Sequence, residues 1–199
     1  MPSEMFAAAS QLNLAGGLSR MLRLAGFEKA MMVGPSPTLF MNTHPAETAS
    51  FALNESLKRL RDVSRDQPLA LEIPEPVAEE VTSIQQWRAT LSKLDIDLAY
   101  DHFGSGQSRR VELAAIRPDF VKFDTNLIRD IHLDLAPQQA LLASLVQMAR
   151  DLDIVTLAMG VECESEHTVC CEIGFELAQG FFYGQPASKT VIGNPDAGN

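Results

Sequence analysis

The chain has 199 residues, of which 46% are hydrophobic and 21% charged, and its net charge is −10. This length suits one domain with a sizeable core, and the charge excludes broad binding to nucleic acid polymers or anionic membranes but not one phosphate-bearing ligand. Apolar runs stay below the roughly 18 residues that a bilayer span needs, and the three cysteines form no CxxC pair, so we expect a cytoplasmic protein without membrane insertion.

Amphipathic stretches alternate with short apolar runs along the whole chain. In chain order the pattern predicts helix 2–13, helix 18–25, strand 38–42, helix 53–63, strand 68–72, helix 84–94, strand 96–101, helix 109–116, strand 120–123, helix 137–152, strand 154–159, helix 164–173 and strand 176–179.

Apolar spacing also predicts the buried face of three helices. The predicted stripes are Leu18, Met21, Leu22 and Ala25 in the second helix, Leu53, Leu57 and Leu60 in the third, and Leu141, Leu142, Leu145, Ala149 and Leu152 in the helix that Pro137 opens.

The alternation of helices with near-continuous apolar strands predicts an α/β fold, a parallel sheet covered by helices. Six strands are found, whereas a closed TIM-type (β/α) barrel has eight. The chain is therefore interpreted as an incomplete barrel, with an open doubly wound sheet as the alternative that pattern leaves open. We expect the domain to occupy residues 1–187 and a flexible tail to occupy residues 188–199.

Polar residues recur where the predicted strands end, which in a parallel barrel is the end that carries the chemistry. Each has a structural alternative: a turn for Asn42, a helix cap for Glu72 and Asp101, and a solvated strand end for Lys122. Their recurrence on successive strands favours a shared pocket. The strand-end residues are Asn42, Glu72, Asp101 with His102, Lys122, Met159 with Glu162, and Gln179.

Carboxylates, an amide and a lysine that converge in this way suit divalent-metal phosphodiester chemistry. Hard oxygen ligands hold Mg²⁺ or Mn²⁺. A pair of such ions stabilises both the attacking hydroxide and the leaving oxygen, and a lysine can orient the water or neutralise developing charge.

Five segments resemble, in order and spacing, the motifs of the EAL family of cyclic di-GMP phosphodiesterases. The segments are Leu71-Glu72-Ile73-Pro74-Glu75 for LExxE, Asp101-His102-Phe103-Gly104-Ser105-Gly106 for DDFGxG, Val121-Lys122-Phe123-Asp124 for VKxD, Ala158-Met159-Gly160-Val161-Glu162 for AEGVE, and Ala178-Gln179-Gly180-Phe181-Phe182 for the QGY segment. The resemblance runs from about Pro2 to Pro186, and Asn42 falls where the family has a strand asparagine.

The resemblance implies a modified eight-stranded β/α barrel with one antiparallel strand, whose enzymes hydrolyse cyclic di-GMP to the linear dinucleotide with two Mg²⁺ or Mn²⁺ ions. It implies the following roles: Asn42, Glu72 and Asp101 as metal ligands, Lys122 and Gln179 in positioning the catalytic water, and Glu75 in bracing the loop 103–106.

Departures from the family pattern point away from catalysis. The Glu-Ala-Leu segment, which in the family precedes the helix that here starts at Pro2, does not occur in the sequence, so one glutamate ligand and the nearby arginine are expected to be missing. His102 replaces the second aspartate of DDFG, and imidazole is a poor ligand for Mg²⁺. Met159 replaces the first glutamate of AEGVE with a thioether, and Glu162, three residues away, is not a simple substitute.

These departures predict a degenerate, catalytically inactive EAL-like domain that acts in bacterial signalling as a regulatory or protein-interaction module. Its site residues would be vestigial, and no metal cofactor is expected. The alternatives are a receptor that binds cyclic di-GMP weakly without hydrolysis, and a phosphodiesterase that uses Mg²⁺ or Mn²⁺ once upstream residues complete it. Open edges of an incomplete barrel also predict self-association, in a dimer paired through its strands, or another protein partner.

Overall fold

Two units make up the polypeptide, Met1–Val121 and Lys122–Asn199. The computed structural model describes residues 2–32, 37–47, 51–74, 81–104, 110–133 and 136–186. Glu75 and the predicted tail 188–199 lie outside the described residues. No helix in the described ranges is long and apolar enough to cross a membrane.

Helices and strands alternate in the first unit, as the sequence predicts. Its elements are α1 Pro2–Gln11, α2 Ala15–Met31, β1 Leu39–Asn42, a 3₁₀ turn Pro45–Glu47, α3 Phe51–Val63, β2 Leu69–Pro74, α4 Val81–Lys93, β3 Ile96–Phe103 and α5 Arg110–Ile116.

Strands β1, β2 and β3 form a parallel ladder, because β1 pairs with β2 and β2 pairs with β3 in the parallel sense. The central strand is buried on both faces along Leu69–Ile73, and every residue of this stretch except Glu72 is apolar. Strands covered on both sides are the usual component of α/β folds, which have helices on each face of the sheet. The predicted stripe Leu53, Leu57 and Leu60 of α3 is confirmed, since these side chains are at most 1% exposed.

The second unit continues the alternation with shorter elements. They are α6 Thr125–Ile128, a 3₁₀ turn Ile131–Leu133, α7 Ala136–Asp151, β5 Val155–Met159, α8 Glu164–Ile173 and β6 Leu177–Gln179, after β4 Phe120–Phe123 at the boundary of the units. Strands β5 and β6 are parallel. The described residues thus contain six strands, each within two residues of its predicted bounds, against the eight of a closed barrel.

The prediction for α7 was partly wrong, since Leu142 and Ala149 are buried as expected but Leu141 is 56% exposed. Val146 takes the buried position between them. The sequence pattern also missed α6 and both 3₁₀ turns, because single turns are too short to show periodicity.

The predicted burial of α2 was wrong in a more informative way. Its buried residues are Ala15, Ser19, Arg23 and Phe27, whereas Met21 is 60% exposed. The helix therefore turns Arg23 inward and Met21 outward.

A buried ion pair explains this orientation. The guanidinium of Arg23 contacts the carboxylate of Glu47, and both side chains are almost fully buried. Arg23 also donates from Nε to the carbonyl oxygen of Asn42 at 3.1 Å and from Nη1 to Oγ of Ser56 at 3.2 Å. Desolvation by burial lowers the pKa of Arg23, and the attraction of Glu47 opposes that shift, so the partners offset part of the cost of burying the charge.

We predict that Arg23→Met lowers the free energy of unfolding of the chain by about 3–5 kcal/mol, because the buried carboxylate of Glu47 loses its close partner. Arg20, whose Nη1 lies 3.7 Å from Oε2 of Glu47 and whose side chain is partly exposed, compensates only in part. Lys58→Met, which removes the exposed Lys58–Glu55 pair, is the matched control and should cost less than about 1 kcal/mol. Urea unfolding measures both, and equal costs for the two variants would refute the importance of the buried pair.

Candidate functional site

Three strand ends in the first unit bring predicted site residues onto one face of the sheet. Asn42 of β1 lies beside Glu72 of β2 in the parallel register. Glu72 lies beside Ala99 of β3, and Asp101 follows Ala99 by two residues. Because side chains alternate with a period of two along a strand, the side chains of Asn42, Glu72 and Asp101 share a face on adjacent strands.

Burial differs among these side chains. Glu72 is 3% exposed and the side chain of Asp101 is 13% exposed, whereas Asn42 is exposed. The backbone N–H and the hydroxyl of Thr43 both donate to the carbonyl oxygen of Glu72, at 3.0 and 2.8 Å. These bonds hold the end of β1 against β2 and fix the relative height of Asn42 and Glu72.

His102 sits at the position where the family motif has its second aspartate. Its backbone has φ +56°, which breaks the alternation of the strand. Its side chain is 58% exposed, and Nε2 lies 3.5 Å from Oδ2 of Asp101. The imidazole therefore contacts the carboxylate that the family resemblance assigns to a metal, and it can pair with that carboxylate whenever it is protonated.

The cluster around Arg23 reaches the same strand end and was missed by sequence reasoning. Arg23 binds the carbonyl oxygen of Asn42, and Glu47 accepts from the backbone N–H of His44 at 3.1 Å. The cluster thereby links α2 to the end of β1 and to the turn that follows it. The sequence signal for this cluster was Arg23, four positions after Ser19, together with Glu47 in the turn that follows β1.

An apolar cavity of about 400 Å³ lies between α1, α2 and β1. Its walls include Phe6, Leu22, Phe27 and Phe40, and Arg23 is the one cation among the described residues that line it. The guanidinium is already engaged by Glu47 and Asn42. This lining suits an apolar group and not the phosphates of a dinucleotide.

In the second unit, Lys122 is 4% exposed and Asp124 is 5% exposed. Asp124 is the N-cap of α6 and accepts from the backbone N–H of Asn126 at 2.9 Å. The structural alternative of a solvated strand end is therefore wrong for Lys122.

Met159 and Gln179 lie side by side at the ends of β5 and β6. Met159 is half-buried and Gln179 is exposed. The backbone N–H of Val161 donates to the carbonyl oxygen of Gln179 at 3.1 Å. The thioether thus occupies the strand end where the family resemblance expects a carboxylate.

Gly160 and Gly180, the glycines of the last two motifs, are needed for structural reasons. Gly160 has φ +74°, and a Cβ there would lie 2.5 Å from Cγ2 of Thr125. A Cβ at Gly180 would run into the backbone carbonyl of Val161. The backbones after β5 and β6 approach each other so closely that only glycine fits, whether or not any chemistry takes place nearby.

Glu162, the last residue of the fourth motif, is exposed and pairs with Arg129, whose Nη2 lies 3.5 Å from its Oε1. Its backbone N–H donates to Oε2 of Glu166 at 2.7 Å. Glu162 is therefore engaged in a surface ion pair and does not replace the carboxylate lost at Met159 in β5.

Among the described residues, one group of three His, Cys, Asp or Glu side chains brings its ligand atoms together as a metal ion requires. It consists of His132, Cys163 and Glu166, whose ligand atoms lie within 4.8 Å of one another. The strand-end carboxylates Glu72 and Asp101 are not part of such a group. The metal-ligating residues expected from the sequence and those that the geometry groups together are therefore different.

We predict that Gly180→Ala destabilises the chain by about 1–3 kcal/mol or more, because the backbone after β5 must move to admit a methyl group. Gly26→Ala, where no atom lies within 4 Å of the added carbon, is the matched control and should be neutral or stabilising by up to about 1 kcal/mol, since alanine favours a helix interior. Thermal unfolding compares them, and a neutral Gly180 variant would contradict the prediction.

The chain is similar in sequence and in structure to known bacterial proteins. The cyclic di-GMP phosphodiesterase RocR of Pseudomonas aeruginosa is 27% identical over 168 residues, which cover 82% of this chain and 42% of RocR. Klebsiella pneumoniae BlrP1, solved as a manganese and cyclic di-GMP complex at pH 9.0, is 30% identical with a TM-score of 0.76, covering 90% of this chain and 47% of that one. The chain spans less than half the length of such curated relatives.

The fold also matches one solved structure over a larger share of that structure's own chain. The PaMucR phosphodiesterase in complex with c-di-GMP has a TM-score of 0.85 at 20% identity, covering 96% of this chain and 86% of that one. The incomplete TIM-type α/β fold expected from the sequence is thereby confirmed. The EAL domain family matches residues 1–186, and the chain belongs to this family.

Proposed function

We propose that this chain is an EAL domain without hydrolytic activity that acts as a protein-interaction module in signalling. Two features of the molecule support the proposal. The donor set at the strand ends has lost hard oxygen ligands, and one helix presents an apolar stripe to solvent. The exposed apolar stripe is the observation that supports the role in protein interaction.

The metal pair implied by the family does not fit the donors present. Asn42, Glu72 and Asp101 still offer oxygen atoms on one face, but imidazole and thioether replace two carboxylates at His102 and Met159. Mg²⁺ and Mn²⁺ favour carboxylate and carbonyl oxygens. Two-metal hydrolysis needs both ions to stabilise the attacking and the leaving oxygen, so a set short of two carboxylates supports loss of the reaction.

The apolar stripe runs along α2 opposite to its buried face. It consists of Leu14, which immediately precedes the helix, followed by Leu18, Met21 and Ala25 at helical spacing. Leu14 is 58% exposed and Met21 60% exposed. A helix usually turns such a stripe towards a core, and an exposed apolar patch of this kind marks an interaction surface.

We assign this stripe to a second copy of the chain. Two copies of one stripe can pack against each other about a two-fold axis, which makes the same patch complementary to itself. Helix packing also leaves the sheet edges unused, so dimerisation through strands is not required. The strand-paired dimer predicted from the open barrel remains the competing arrangement.

We predict that the chain does not hydrolyse cyclic di-GMP with Mg²⁺ or Mn²⁺, at a rate at least ~10³-fold below that of an active phosphodiesterase, because several charge-stabilising groups are missing together. RocR, assayed in the same buffer, is the positive control. Metal-dependent formation of the linear dinucleotide by this chain would overturn the proposal.

We predict that sedimentation at low micromolar concentration shows a dimer of the parent chain. The double variant Leu14→Glu, Met21→Glu should raise the dissociation constant of this dimer at least tenfold, because it places charges in an apolar contact. Leu141→Glu, at the equally exposed position on α7, is the matched control and should leave the dimer intact. A monomeric parent chain, or a dimer that the control variant disrupts to the same degree, would contradict the assignment of the α2 stripe.

A receptor that binds cyclic di-GMP without cleaving it is the second candidate. It is favoured by the likeness to BlrP1, whose solved complex contains this dinucleotide, and by the oxygen donors that remain on one face of the first unit. Isothermal titration with cyclic di-GMP separates the two candidates. Saturable binding of one ligand without turnover would support the receptor, and absence of binding would support the protein-interaction module.

A further inference from the structure

Glu166 is a buried carboxylate at the start of α8. It is 3% exposed and is the third residue of the helix, the position from which a glutamate reaches back to the N-cap. Its two oxygens accept from the backbone N–H groups of Asp130 at 2.8 Å and Glu162 at 2.7 Å. A third backbone N–H, that of Cys163, also bonds to this carboxylate. Each carboxylate oxygen has two acceptor sites, so one of the four remains open to a cation.

The environment keeps Glu166 ionised. Desolvation by burial would raise the pKa of Glu166, but hydrogen bonds from the backbone of Glu162, Asp130 and Cys163, together with the attraction of His132, lower it below the usual value. The positive end of the helix dipole acts in the same direction. An anion is therefore fixed at this helix end.

Cys163 occupies the N-cap of α8, a position where serine, threonine and aspartate normally cap with an oxygen. Its side chain makes no capping hydrogen bond. It is a free cysteine of intermediate exposure. The thiol thus takes no part in holding the helix end, and its sulfur lies with the ligand atoms of Glu166 and His132.

His132 completes the group from the 3₁₀ turn Ile131–Leu133. Its Nδ1 is buried and, within the described part of the chain, has no hydrogen-bond partner. A buried ring nitrogen without a partner is costly, and a metal ion satisfies it as directly as a hydrogen bond would. Imidazole nitrogen, thiolate sulfur and carboxylate oxygen are together the donor types of zinc sites.

We propose that His132, Cys163 and Glu166 form a binding site for one divalent transition-metal ion of the zinc class. As the metal–sulfur bond forms, the Cys163 thiol releases its proton to solvent. Thiolate and carboxylate then balance the two charges of the ion, and three protein ligands leave one tetrahedral position for solvent.

The geometry needs only local adjustment. The ligand atoms lie within 4.8 Å of one another, and the ligands of a tetrahedral zinc ion are separated by about 3.5 Å. The proposal therefore requires side-chain rotations of His132 and Cys163, since backbone N–H groups hold Glu166 in place. The proposal does not depend on the function proposed above, since none of these residues belongs to the strand-end set.

Titration of the metal-free full chain with Co²⁺ under reducing conditions tests the site, because a cobalt–thiolate bond gives a charge-transfer absorption. We expect one equivalent to bind, with Zn²⁺ displacing it. Cys163→Ser should abolish the absorption and weaken Zn²⁺ binding at least tenfold. This variant should fold as well as the parent without metal, since serine is a favoured N-cap.

His132→Ala should also weaken Zn²⁺ binding at least tenfold. Cys171→Ser is the matched control, because Cys171 is an exposed cysteine with Sγ 3.7 Å from the His167 ring. It should leave both the absorption and the affinity unchanged. Burial raises the pKa of the remaining Cys170 to about 12, so this thiol does not compete for the metal.

Three results would overturn the proposal. They are the absence of any cobalt–thiolate absorption in the parent chain, an absorption that Cys163→Ser leaves intact, and an absorption that Cys171→Ser removes. A zinc-dependent rise in thermal stability that the Cys163 variant lacks would support it independently of the spectra.

Discussion

The buried pair of Arg23 and Glu47 is the interaction on which the arrangement of the first unit depends. A guanidinium can be taken out of water only if its donors are matched by acceptors. Here the carboxylate, the Asn42 carbonyl and the hydroxyls of Ser19 and Ser56 provide them. The requirement to meet this set fixes the rotation of α2 about its axis.

That rotation has two consequences at once. It ties the helix to the end of β1, where the first residue of the strand-end set lies. It also turns Leu14 and Met21 towards solvent and leaves Leu18 half-buried, since they lie on the side of the helix opposite to Arg23. A single electrostatic constraint thus anchors the strand end and creates the exposed apolar stripe. Hydrophobicity alone would have favoured the opposite rotation.

This constraint also explains where sequence reasoning succeeded and failed. Parallel strands buried on both faces leave a strong apolar signal, so β2 and its register-matched neighbours could be predicted. The predicted stripe of α2 had the periodicity of a buried face. No local sequence pattern indicates that Arg23 pairs with Glu47, 24 positions later, and this pair decides which face of α2 is buried. The group of His132, Cys163 and Glu166 was missed for a similar reason, because residues separated by about thirty positions meet only when α8 packs near the preceding 3₁₀ turn.

The motif residues that remain have functions in folding that do not require catalysis. Gly160 leaves room for the side chain of Thr125, Gly180 lies against the backbone of Val161, and Asp124 caps α6. Residues with such roles persist when chemistry is lost, because replacing them costs stability directly. His102 and Met159 stand where the family resemblance expects carboxylates that serve metal chemistry. Under the function proposed above, the softer groups at His102 and Met159 and the glycines and cap found elsewhere have one explanation, because the fold needs the second set and only metal chemistry needs the carboxylates.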